Sequence, residues 1–221
     1  MIVNSIALQD EDVTSILLID DHPLLRKGLA QLLDEEDELS VVGEASNGQA
    51  GLDLAISLEP DLILLDLNMK GMDGLATLKA MRSAGVASRV VALTVSEHRE
   101  DVAAMFKAGV DGYLLKDMEP EELLDKVSEA ATGKLVIDDR LGQVLAQVLR
   151  PEEDSGSKID LLTPKEKEVL FFIAEGDANK VIARKMNISE GTVKVHVKRV
   201  LRKLDFRSRV EAAVWVVNQN R

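Results

Sequence analysis

Short apolar runs alternate with helical repeats through the first half of the chain. The runs at residues 16–20, 40–44, 61–66, 89–94 and 112–115 predict strands, and the run ending at Asp66 is of the kind that fills a strand covered on both faces. Between and after them, apolar residues recurring with the helical period predict helices over 23–33, 48–58, 74–83, 99–108 and 120–131. Proline opens two of these, which its fixed φ permits in the first turn. Such alternation is the mark of an α/β domain, a doubly wound, flavodoxin-like parallel sheet of five strands with helices on both faces.

The second half reads differently. One more helix is expected over 140–149, followed at 151–158 by a stretch with nothing apolar to bury, which reads as a linker. Thr163, Pro164 and Glu166 then supply a capping hydroxyl, a first-turn proline and a glutamate at the third position, so a helix should start at Pro164. Helical segments at 179–185, 190–204 and 209–217 complete a small all-α domain with a helix-turn-helix. The expected division is 14–133 for the α/β domain, 134–159 for the linker helix and flexible linker, and 160–221 for the helical domain. Charge follows the same division. The chain has 27 Lys and Arg against 39 Asp and Glu, a net −12, yet the last 62 residues hold 13 basic against 8 acidic side chains, +5, and the rest 14 against 31, −17. Two parts with different partners are implied.

The strand ends carry the candidate chemistry, because an open α/β sheet places its sites there. Asp20 and Asp21 follow the first run, Asp66 closes the third, and Thr94 and Lys116 end the fourth and fifth. Any one of these alone is an ordinary solvated strand end. Together, three carboxylates offer hard oxygen ligands for Mg2+, which keeps waters and leaves room for phosphate oxygens. Lys116 and Thr94 offer an ammonium and a hydroxyl to phosphoryl oxygens, and Asp66 is then the candidate nucleophile, to be phosphorylated as an acyl phosphate. A phosphohydrolase on such a sheet would need a general acid two residues past the nucleophile; Asn68 stands there and cannot serve.

In the helical domain, Val193, Val197, Val200, Leu201 and Leu204 form a buried stripe, and Lys194, Lys198, Arg199 and Arg202 lie off it, facing water or a polyanion. Preceded by a short helix and a tight turn, and capped by Ser189, segment 190–204 is shaped to enter a major groove. Val195 sits among the lysines, where it would meet a thymine methyl. Ser189 and Thr192 in the first turn suit phosphate, as do Lys180 and Arg184.

These residues carry a resemblance. Asp20-Asp21, Asp66, Thr94 and Lys116 resemble the signature of the receiver domain of two-component response regulators, 161–217 resembles the LuxR-type DNA-binding domain, and the whole resembles the NarL/FixJ class. The stretches 66–72, 111–120, 192–198 and 208–215 are similar to the nitrate/nitrite regulators within that class. The resemblance implies that Asp66 accepts phosphate from a sensor histidine kinase, and that Asp20, Asp21, Asp66 and the backbone carbonyl of Asn68 hold Mg2+, Asp21 more directly than Asp20. It implies that Lys116 bonds the phosphoryl group, that Thr94 and Tyr113 form a switch pair, and that Lys194, Val195 and Lys198 read bases. The alternative reading of Tyr113 is a half-buried strand tyrosine with a wet hydroxyl. Asp117 and Lys70 depart from the pattern, standing where proline is usual.

The last helix is more apolar than one stripe requires. Val210, Val214, Trp215 and Val217 either pack on their own domain or form a two-fold dimer that presents two reading helices to an inverted-repeat promoter site. Before phosphorylation, the acidic domain is expected to cover part of 192–203. His22, His98 and His196 share no ligand spacing and are expected at the surface. With no cysteine, thiolate metal sites and disulfides are excluded. No apolar run reaches the roughly 18 residues of a membrane span, so the expectation is a cytoplasmic protein that meets no membrane.

Overall fold

The computed structural model describes residues 13–96, 98–138, 140 and 158–219. An amino-terminal sheet is built from β1 (Thr14–Ile19), β2 (Leu39–Ala45), β3 (Leu62–Asp66), β4 (Arg89–Thr94), β5 (Gly112–Leu115) and β6 (Val136–Ile137), all parallel, in the order β2-β1-β3-β4-β5-β6. Five strands were expected. The sixth is two residues long and pairs Val136 with Gly112 and Ile137 with Tyr113, too short to leave a periodic signal.

The helices α1 (Pro23–Asp34), α2 (Gly48–Leu58), α3 (Gly74–Ser83), α4 (Arg99–Ala108) and α5 (Pro120–Thr132) fall within a residue or two of expectation. Asn47 and Asp73 cap α2 and α3 by accepting from Ala50 N at 2.9 Å and Ala76 N at 2.7 Å. The reason β3 has no polar residue before Asp66 is its place in the middle of the sheet. Leu62 and Leu64 join a core with Leu29 and Leu33 of α1 and Leu123 and Val127 of α5, while Ile63 and Leu65 face Leu78 and Met81 of α3 and Val102 and Met105 of α4. Each such side chain stabilises the fold by on the order of 2 kcal/mol. The winding reverses between β1 and β3, and the crevice there opens at the carboxyl ends of the strands.

The second domain follows a 3-10 turn at Lys158–Leu161 and contains α6 (Pro164–Ala174), α7 (Asn179–Met186), α8 (Glu190–Leu204) and α9 (Arg209–Gln219). The Thr163/Glu166 capping box forms as expected, Thr163 N donating to Glu166 Oε2 at 2.8 Å. The α7–α8 turn passes through Asn187 at φ 54° and Ser189 caps α8. Val193, Val197, Val200 and Leu204 are buried against Val169, Leu170, Ile173 and Ile182; Leu201 sits half-buried at the edge of the stripe. The helix expected over 140–149 and the linker 151–158 lie outside the described residues, apart from Arg140 and Lys158.

The helical domain docks on the sheet at the amino ends of the strands. Ala178 N donates to Thr132 O at 3.1 Å and Arg207 Nη1 to Lys107 O at 2.6 Å. A Cβ at Gly133 would stand 2.0 Å from the Gly176 carbonyl oxygen, so glycine is needed where the backbones meet. A small cavity in this seam is lined by Asp61, Leu62 and Arg89 from the sheet side and by Lys180, Glu190 and Arg209 from the helical side.

Candidate functional site

The acidic residues converge. Asp20 and Asp21 follow β1, Asp66 ends β3, and their side chains are 9%, 19% and 1% exposed. Lys116, placed beside them by the Lys116 N to Thr94 O bond of 2.8 Å, puts its Nζ 2.7 Å from Asp20 Oδ2 and 2.9 Å from Asp66 Oδ2. One ammonium serves two buried carboxylates. Asp66 Oδ1 accepts from Asn68 N at 3.2 Å, and Asp21 Oδ2 from Lys70 N at 3.2 Å, so the β3–α3 loop is tied to the cluster. Asp66 Oδ2 and Asp21 Oδ1 are buried with no hydrogen-bond partner, Lys116 approaching Asp66 Oδ2 as an ion pair but off the hydrogen-bond direction. Orphaned anionic oxygens are costly without a cation, and the cluster therefore fits a metal ion.

Thr94 is fully buried; its Oγ1 accepts from Ser96 N at 3.1 Å and lies 3.5 Å from Asn68 Nδ2, which links it to the loop after Asp66. Tyr113 is also fully buried, and its hydroxyl donates to Ser96 O at 3.0 Å. The wet-hydroxyl reading of Tyr113 is thus corrected, because β6 and α4 close over the strand. Burial, with Asp101 nearby, pushes the hydroxyl above its ordinary value and keeps it a donor.

The basic helix lies at the other end of the sheet. Lys194, expected to face water, is only 25% exposed. Its Nζ donates to Glu59 O at 3.0 Å and lies 3.1 Å from Asp61 Oδ1 and 3.4 Å from Glu190 Oε1. Lys180 donates to Val13 O and stands 3.9 Å from Asp61 Oδ2. Lys198 is exposed but runs beside Gly85, whose Cβ position is 2.7 Å from Lys198 Cε. Val195, Arg199, Arg202, Arg184, Ser189 and Thr192 are exposed. The docked domain therefore covers one edge of the basic surface of α8 and leaves the other open. Asp61 was not anticipated. Burial alone would raise its carboxyl, but hydrogen bonds from Glu190 and Ser15 and the Lys194 ammonium hold it at about 2. Burial and the neighbouring Asp61 push Glu190 up.

Comparison with known proteins decides the family. Residues 16–128 match the family described as response regulator receiver domain, and 160–216 match bacterial regulatory proteins, luxR family. The chain is a two-component response regulator. It belongs to those whose receiver domain is joined to a LuxR-type DNA-binding domain, and it regulates transcription. It is similar to the nitrate/nitrite response regulator protein NarL of Escherichia coli strain K12, 52% identical over 210 residues that cover 95% of this chain and 97% of that one. NarP of the same strain is 48% identical, with 92% and 94% covered. The crystal structure of the response regulator ChrA of a heme-sensing two-component system is 32% identical with a TM-score of 0.51, covering 95% of this chain and 98% of that chain.

Within this response regulator, other expectations need revision. His22 is exposed, as expected, but its Nδ1 lies 3.0 Å from Asp21 Oδ1, 3.2 Å from Asp20 Oδ1 and 3.8 Å from Asp66 Oδ2. Sequence spacing missed it because the turn into α1, not a helical repeat, brings the ring back over the cluster. His196 is half-buried, with Nδ1 unpartnered, while His98, like His22, is exposed. Val210 is buried, Val214 half-buried, and Trp215 packs on Phe206 with ring centroids 5.7 Å apart. Of the four residues assigned to a dimer, only Val217 is exposed, at 50%, because α9 packs its apolar face mainly on α6. At the start of α9, Ser208 Oγ accepts from Glu211 N at 3.2 Å, and Glu211 Oε2 accepts from Arg207 N at 2.7 Å. Asp117, where proline is usual, pairs with Arg140 at 2.9 Å. No helix among the described residues is long and apolar enough to cross a membrane.

Proposed function

We propose that Asp66 accepts a phosphoryl group from the phosphohistidine of a sensor kinase, and that this frees the reading helix α8 from the receiver to bind promoter DNA. The observation that carries the reading is the placement of two charge clusters at opposite ends of β3, one within the receiver around Asp66 and Lys116 and one across the domain seam at Asp61 and Lys194. Asp20, Asp21, Asp66 and the Asn68 carbonyl hold Mg2+, which supplies neutralising charge for the phosphoryl oxygens. An Asp66 carboxylate oxygen bonds to phosphorus as the phosphorus–nitrogen bond to the kinase histidine breaks. Lys116, already poised at 2.9 Å, then pairs with a phosphoryl oxygen. Thr94 turns its hydroxyl to another, giving up its bond from Ser96 N. Tyr113, bonded to Ser96 O, follows the moving loop. The resulting shift loosens the seam at the amino ends of the strands.

Released, Lys194, Val195 and Lys198 read bases, while Ser189, Thr192, Arg199, Arg202, Lys180 and Arg184 contact phosphates. Two copies bind inverted-repeat sites in the cytoplasm, the exposed Val217 end of α9 contributing to their contact. The similarity to NarL and NarP supports nitrate or nitrite as the stimulus. The test is DNA binding by the full chain, with and without acetyl phosphate and Mg2+, on inverted-repeat sites and on promoters of nitrate-responsive genes. Tight binding only with phosphodonor is expected. Equal binding in both states would overturn the reading.

A further inference from the structure

We propose that the domain seam holds a single small monovalent anion, chloride or another halide, between Arg89 and Arg209, and that this anion fastens the docked domains together. The site is separate from the phosphorylation chemistry and lies at the other end of the sheet. Arg89 opens β4 of the receiver, Arg209 opens α9 of the helical domain, and both line the seam cavity. Each is 6% exposed. A guanidinium so deeply buried ordinarily takes a carboxylate partner. Among the described residues these two donate only to neutral oxygens: Arg89 Nη2 to Lys134 O at 2.5 Å, Arg209 Nη1 to Asn179 Oδ1 at 2.9 Å and Arg209 Nη2 to Asp177 O at 2.6 Å. Arg89 Nε is buried with no hydrogen-bond partner at all.

The acids nearby are engaged elsewhere. Asp111 acts on both arginines, yet its Oδ2 accepts from Arg82 Nη2 at 2.7 Å and Val90 N at 3.0 Å, and its Oδ1 meets no donor. Asp61 and Glu190 also line the cavity, but Lys194 Nζ stands 3.1 Å and 3.4 Å from their oxygens. With Lys180, the cavity walls carry three cations against those two carboxylates, so one positive charge is left over. Burial and the neighbouring Arg89 push the Arg209 guanidinium down to about 9, as expected of two like charges held together away from water. A monovalent anion relieves that repulsion and gives Arg89 Nε an acceptor. The cavity volume is about 20 Å3, enough for one water-sized or halide-sized particle, which needs roughly 10–15 Å3, and too little for phosphate. Because each domain supplies one arginine, an anion that needs both binds the docked form alone and stabilises it by mass action.

The full-length unphosphorylated chain tests this in potassium chloride against potassium gluconate at equal ionic strength, gluconate being too large for the cavity. Equilibrium dialysis with radiolabelled chloride should retain a single chloride on the wild type, displaced by bromide and not by sulfate. Hydrogen–deuterium exchange at Ala178, whose N–H crosses the seam to Thr132 O at 3.1 Å, should slow about tenfold when chloride stands at about ten times its dissociation constant. Arg89→Gln and Arg209→Gln should each abolish both effects, and the wild-type readouts stand even where a variant fails to fold. A wild type that retains no chloride and exchanges Ala178 alike in both salts has a cavity filled by water, which overturns the proposal. Chloride retained equally by folded variants lies elsewhere and overturns it too. Chloride retained without slower exchange would overturn the fastening role.

Discussion

The two ends of the receiver sheet make opposite use of aspartate. At the carboxyl edge, three carboxylates crowd together within the receiver, and Asp20 and Asp66 share a single lysine. At the amino edge, Asp61 accepts from Ser15 N and Ser15 Oγ, at 3.0 and 2.7 Å, and faces Lys194 across the domain seam. One edge gathers its negative charge within a single domain; the other has its aspartate faced by a lysine only while the domains are docked. Yet Asp61 immediately precedes β3 and Asp66 ends it, roughly 16 Å apart along an extended chain. A buried strand packed on both faces is a stiff connection, so charge added at one end can bias a charge pair at the other.

The comparison is broken most completely at Asp66. Asp66→Asn keeps the shape of the side chain but removes the nucleophile, and phosphodonor-driven DNA binding should vanish, as read by phosphoprotein gel shift and DNA titration together. Next is the opposite edge. Asp61→Asn removes the counter-charge of Lys194 and should raise DNA affinity of the unphosphorylated chain by about 5- to 150-fold, the range of a coupling of about 1–3 kcal/mol. An unchanged affinity would mean that Asp61 holds nothing shut. Lys194→Ala should lower the affinity of the phosphorylated chain by about 1–3 kcal/mol and relax sequence preference at one position of each half-site, measured on single-base operator variants.

The smallest expected effect is on pH. The Glu190 carboxyl is raised in the docked state, so its contribution to docking is present below the ordinary glutamate range and is lost as pH rises through the raised value. Asp61 is held at about 2, so its contribution is present above the ordinary value of 3.8 and lost as pH falls toward 2. Docking should therefore weaken on both sides of an acidic window. Glu190→Gln should remove the loss on the rising side, which unphosphorylated DNA binding as a function of pH would reveal.

Much of this architecture is legible in the residues alone. The runs at 61–66 and 89–94 are apolar because both faces are covered, and that fact announces both the strands and the site at their ends. The capping box at Thr163 and the buried stripe of α8 are local and equally readable. What escaped depends on distant parts of the chain. Val136–Ile137 is too short to show a period, and only the edge of β5 makes it a strand. His22 has no partner at helical spacing; a turn folds it back. Asp61 looks like any polar residue before a strand until Lys194 arrives from 133 positions away. Val210 and Trp215 carry the same apolar signal whether they face their own domain or another copy.

The central claim is that phosphorylation at one edge of the sheet undocks the domain at the other, and an interdomain distance tests it most directly. The chain has no cysteine, so cysteines introduced at exposed Lys79 and Lys165 take spin labels uniquely. Double electron–electron resonance should give one narrow distance without phosphodonor and a longer, broader distribution once Asp66 is phosphorylated, with Asp66→Asn fixed in the narrow state. An unchanged distribution at full phosphorylation would contradict the account.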